Sequence, residues 1–122
     1  ACGNVLHVHD LVDYVAEEAR RAGASCARWI KGDRPSGEVR VKAGPNVRYV
    51  APGRVSVSGP NKLYLRTLIV KNDATLELRL NNRVIRSQKK PHVQPSEMIS
   101  VTVESKELAD AGPDSTLEIA IV

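Results

Sequence analysis

Early in the chain apolar residues recur at three- and four-residue steps: Leu11, Val12, Val15, Ala16, Ala19, Ala22, Cys26, Ala27 and Ile30. That spacing lines them up on one stripe of an α-helix, which the pattern predicts over residues 10–31. Asp13, Glu17 and Glu18 fall in its first half, and Arg20, Arg21, Arg28 and Lys31 in its second. This is the charge order a helix dipole favours. His9 or Asp10 is the expected N-cap, and the run from Gly32 to Gly37, which includes Asp33, Pro35 and Ser36, ends the helix. On the stripe, Cys26 is expected to act as a small buried hydrophobe and Trp29 as a packing anchor between helix and sheet.

Past Gly37 the period drops to two. Val39 and Val41 alternate with Glu38, Arg40 and Lys42, Val47 and Tyr49 with Asn46 and Arg48, and Val55 and Val57 with Arg54 and Ser56. The same rule runs through Leu63/Leu65, Leu76/Leu78/Leu80, Ile99/Val101/Val103 and Leu117/Ile119/Ile121, each run bounded by Gly, Pro, Asn or Asp. Leu80-Asn81-Asn82-Arg83 reads as a two-residue hairpin, because Asn tolerates positive φ. A short helical turn is expected over residues 106–111, and Pro95-Ser96-Glu97-Met98 reads as a turn opening a strand, with Met98 packing inward. The expected fold is therefore mainly β with one long N-terminal α-helix. The β part is expected to be an antiparallel immunoglobulin-like β-sandwich of roughly seven strands. Residues 1–34 and 38–122 separate as two parts.

Composition narrows the chemistry. With 122 residues the chain supports one domain with a core and little more, and 42% hydrophobic residues argue for folding. Aromatics are only 3%, with no Phe, so the core must come from Val, Leu, Ile and Ala, and an aromatic platform for base stacking is not available. The net charge of +4 would suit weak binding to an acidic partner, but 14 acidic residues dilute it. The basic run Arg79, Arg83, Arg86, Lys89 and Lys90 is expected to be a solvated sheet face or a docking surface for an acidic partner subunit, not a nucleic-acid site. Cys2 and Cys26 lack zinc or redox spacing. No apolar run approaches the ~20 residues of a membrane-spanning helix, and no signal-peptide pattern opens the chain; a cytoplasmic protein is expected.

The remaining chemistry sits at the beginning, in Ala1-Cys2-Gly3-Asn4-Val5-Leu6-His7-Val8-His9-Asp10-Leu11-Val12-Asp13. A glycine-containing turn running into a helix start exposes backbone N–H groups, which suits anions and polarised ligand atoms. His7, His9 and Asp10 could be read as metal ligands, but no third strong ligand follows at helical spacing. Ser96 has no His or Asp company in its segment for nucleophilic chemistry.

The string Cys2-Gly3-Asn4-Val5, then His7 to Asp13, Glu17-Glu18 and Ala22-Gly23, resembles the last flavin-contacting segment of FAD-dependent pyridine-nucleotide oxidoreductases. More narrowly, it is similar to flavoprotein subunits related to anaerobic glycerol-phosphate dehydrogenase and to hydrogen cyanide or opine oxidases. A second stretch, Arg86 to Met98, resembles a basic, then Pro-Ser/Gly-Glu-Met pattern in the C-terminal β domain of those proteins. The resemblance implies that the chain is a C-terminal fragment of such an enzyme, inactive alone, with FAD held mostly by the rest of the FAD domain. Gly3 and Asn4 would form the turn that meets the flavin chain, and Asn4 replaces the Asp many relatives carry. The Asp10, Leu11 and Val12 amides would lie near the flavin's pyrimidine edge. Partner oxidoreductase subunits, or a second copy of the chain docked through the helix, are the implied neighbours. The alternative is a free-standing β-sandwich interaction module, in which Gly3 and Asn4 belong to a frayed tail. A module of that kind is not expected to begin at the end of a strand.

Overall fold

The two periodicities become two units in the computed structural model, which describes residues 1–122: Ala1–Pro35 and Ser36–Val122. In the first unit a short 3-10 turn at Gly3–Val5 precedes helix α1, Val12–Ile30. Its N-cap is Leu11, in extended conformation and with no side-chain cap bond, rather than His9 or Asp10. The C-terminus closes as a Schellman motif: the Gly32 N–H reaches the Trp29 carbonyl at 3.1 Å and the Asp33 N–H reaches the Arg28 carbonyl at 3.0 Å. The left-handed residue this motif requires is Gly32, with φ +86°.

Glu18 is the one buried residue of α1. Cys26 is exposed, which corrects the expectation of a buried hydrophobe, and Val12, Val15 and Ile30 are exposed with it. Ala1–Pro35 contains no second helix or sheet to cover the stripe. Trp29, expected as a packing anchor, is 55% exposed. The Arg34 guanidinium lies 3.6 Å above its ring and donates to the Trp29 carbonyl, so both residues serve the helix end.

The second unit holds eight strands: β1 (Glu38–Ala43), β2 (Val47–Ala51), β3 (Arg54–Ser56), β4 (Asn61–Thr67), β5 (Lys71–Leu80), β6 (Arg83–Val93), β7 (Ile99–Val103) and β8 (Thr116–Ile121). They form a five-stranded sheet in the order β3-β1-β8-β5-β6 and a three-stranded sheet in the order β2-β4-β7. Val39, Leu63, Leu65, Leu76, Leu78, Val103, Leu117, Ile119 and Ile121 are fully buried and join both sheets in one aliphatic cluster. The alternation in β5 and β1 thus reports burial directly.

The strand pairing is not wholly antiparallel. β1 and β8 run parallel, with Val41 opposite Leu117 and Ala43 opposite Ile119. Side-chain alternation is the same in either direction, so it carried no information on this pairing. β6 also escaped the two-residue pattern. It is an edge strand, its side chains are mostly exposed, and its Pro91 needs no ladder hydrogen bond there. The hairpin joining β5 to β6 forms where expected: Asn81 and Asn82 have φ +50° and +70°, and Leu80 pairs with Arg83. A 3-10 turn at Ser105–Leu108 precedes the last strand.

Candidate functional site

The N-terminal turn is built around Gly3. Its φ of +78° lies in the left-handed region, which glycine adopts without steric cost. The turn closes when the Gly3 carbonyl accepts from Leu6 N–H at 2.9 Å and His7 N–H at 3.1 Å. A Cβ on Gly3 would meet no atom within 4 Å, so the dihedral angle, not crowding within the chain, selects glycine. Open space above a left-handed glycine allows another molecule to approach the backbone closely.

One side chain ties this turn to α1. The Gly3 N–H donates to Oε2 of Glu18 at 3.0 Å, and Nε2 of His9 lies 3.2 Å from the same oxygen. Glu18 is 9% exposed and His7 is 3% exposed. The His9 ring meets His7 edge-on, with centroids 4.7 Å apart, and stacks on Tyr14 at 6.1 Å. Gly3, His9 and Glu18 therefore converge, while Asn4, Asp10, Leu11 and Val12 remain on the surface. Leu11 and Val12 are 57% and 77% exposed, and the helix N-terminus they form has no side-chain cap. Its first amides point toward whatever approaches that end of the helix.

The sequence reading missed the role of Glu18 and assigned it to the dipole. A signal was present: Leu11, Val15, Glu18 and Ala22 follow steps of four, three and four, so Glu18 occupies a stripe position. A carboxylate at such a position asks for a buried partner. The His7-His9-Asp10 string does not gather with other His, Cys, Asp or Glu residues into a metal-binding group.

The arginines of the basic run are paired with carboxylates. The hairpin divides it between two strands, and Arg79 contacts Glu77 at 2.8 Å and Glu118 at 3.1 Å, Arg83 contacts Asp110 at 3.0 Å, and Arg86 contacts Glu107 at 3.2 Å. The hydrogen bonds to Glu77 raise the Arg79 pKa further above its ordinary value, despite partial desolvation. Glu118 lies between Lys42, at 2.9 Å, and Arg79. The Lys42 hydrogen bond holds its carboxyl below the ordinary range, against the opposing effect of burial. A groove of about 440 Å³ lies between β6 and β7, lined by Arg86, Ser87, Gln88, Ser100, Val101, Thr102 and Glu104. Arg86 bridges it by donating to the Thr102 carbonyl at 2.8 Å.

No protein-family model, curated protein or solved structure matches the chain. No helix is long and apolar enough to cross a membrane.

Proposed function

We propose that this chain is the C-terminal portion of a cytoplasmic FAD-dependent NAD(P)H oxidoreductase, supplying a flavin-contacting turn and helix together with a β domain for docking. The observation that carries this reading is the conformation of Gly3. The residue that the resemblance places against the flavin chain is left-handed, with open space over its α-carbon. Past Asp10, Val12 begins a helix whose N-cap residue, Leu11, supplies no side-chain capping bond. Those features fit a ligand carrying polar oxygens and ring heteroatoms. FAD would supply hydride and electron transfer. Gly3 and Asn4 would bind its chain through backbone and amide groups, and the helix N-terminus would favour negative charge on the ring. Reacting groups would come from the remainder of the protein. The chain has no Gly-x-Gly-x-x-Gly turn to cradle a pyrophosphate, so alone it binds no flavin tightly. Partner oxidoreductase subunits, or a second copy, would dock on the helix or the β domain.

The coding sequence upstream of Ala1 tests this reading. A Gly-x-Gly-x-x-Gly strand–helix unit is expected there, and the longer polypeptide should purify with the visible absorbance of bound flavin. Gly3→Val in that polypeptide should weaken flavin retention by about one to two decades, the cost of a lost charge- or dipole-assisted hydrogen bond. A longer polypeptide that purifies colourless, or an upstream sequence without such a unit, would overturn it.

A second reading is a free-standing β-sandwich interaction module. One observation favours it: every residue of the buried aliphatic cluster lies between Val39 and Ile121, so Ser36–Val122 encloses its own core. The same measurement separates the two, because such a module carries no upstream flavin unit.

A further inference from the structure

We infer that Glu18 is the positioning residue of the N-terminal turn: its buried carboxylate accepts from the Gly3 N–H and thereby sets the shape that Gly3 and Asn4 present to a ligand. The inference rests on the flavin reading for the ligand's identity, but its geometry stands on the chain alone. Gly3 N–H donates to Glu18 Oε2 at 3.0 Å, and His9 Nε2 faces that oxygen at 3.2 Å. Holding the turn on a buried acceptor in the helix removes the freedom of a glycine-containing loop that has no sheet partner of its own. Glu18 lies in the helix body, where its own backbone is fixed by the helical hydrogen bonds. A hydrogen bond to an ionised carboxylate is stronger than a neutral one, and the low exposure of Glu18 limits competition from water.

The arrangement also explains the residue types. Gly3 has to reach a left-handed φ while aiming its N–H at the helix. His9 packs beside the same carboxylate, with Nε2 3.2 Å from Oε2. Its ring is kept in place edge-on to His7 and stacked on Tyr14.

Two measurements test the inference. In the 122-residue chain, nuclear magnetic resonance follows the Gly3 amide. Its hydrogen exchange should accelerate by about tenfold to a hundredfold in Glu18→Ala, the loss of one charge-assisted bond. Glu18→Gln, which keeps an acceptor oxygen, should recover part of that protection. In the longer polypeptide, Glu18→Ala should lower flavin content and Glu18→Gln should restore part of it. A Gly3 amide indifferent to both Glu18 substitutions would overturn the clamp. A flavin-loaded protein that keeps full flavin content in Glu18→Ala would overturn its positioning role. A wild-type protein without flavin would instead overturn the flavin reading, and the Gly3 amide exchange would still decide the clamp.

Discussion

At the scale of single residues, charge pairing across the five-stranded sheet is set by register. Lys42 on β1 and Arg79 on β5 both stand directly opposite Glu118 on β8. The Glu118 side chain is only 14% exposed, so the row of opposite charges is partly shielded from water. Because the folded-state pKa of Glu118 lies below its unfolded value, its contribution is fully present above the ordinary carboxyl range. It fades as pH falls and is gone once the folded carboxyl is protonated. Thermal unfolding should therefore show wild type more stable than Glu118→Gln at neutral pH, with the difference closing in acid. A difference that widened in acid would contradict the pairing. Gly44 packs on the same carboxylate: a Cβ there would lie 2.7 Å from Cγ and 2.9 Å from Cδ of Glu118. Gly44→Ala should cost about 1–3 kcal/mol, as overpacking does. The loss should shrink in a Glu118→Ala background, which a double-mutant cycle by denaturant unfolding measures.

At the scale of elements, the β5–β6 hairpin shows why some turns are readable in advance. Asn81 and Asn82 are among the few residue types that accept positive φ, so two residues carry the whole turn. Asn81 does more than the sequence indicates. It donates to Ser115 Oγ at 3.0 Å and accepts from Thr116 N–H at 3.0 Å, tying the hairpin to the start of β8. Asn81→Ala should lower stability by about 0.5–1.5 kcal/mol through the lost hydrogen bonds to Ser115 and Thr116. Asn82→Gly should be neutral or stabilising, since Asn-Gly suits this turn better. Equal losses in urea unfolding would contradict this division of roles. The helix follows a similar logic. Its extent, Val12–Ile30, lies within the periodic span of residues 10–31. The cap did not follow the residue-type rule, because Leu11, not His9 or Asp10, stands at the change of backbone conformation.

At the scale of the whole molecule, the chain divides into a helical unit with a single buried residue in its helix and a β unit with the aliphatic core. Residues 36–122 expressed alone should unfold cooperatively by circular dichroism and calorimetry, since the buried cluster is complete within them. A non-cooperative melt would show that the core needs the N-terminal unit. Of the candidate site, Gly3 and the helix start were visible as residue types, while the carboxylate that organises them was not. Glu18 and Gly3 are joined by a side chain reaching back to an amide, and no local period encodes that contact. The same contrast holds throughout. Helix or strand, the Asn81-Asn82 turn and most of the buried faces follow from the sequence alone, because they depend on φ preferences and on repeats of three to four or of two residues. The parallel pairing of β1 with β8 and the pairing of Arg79, Arg83 and Arg86 with carboxylates were decided by the tertiary structure. Each depends on which distant segment lies alongside, and alternation reads the same for every strand order and direction.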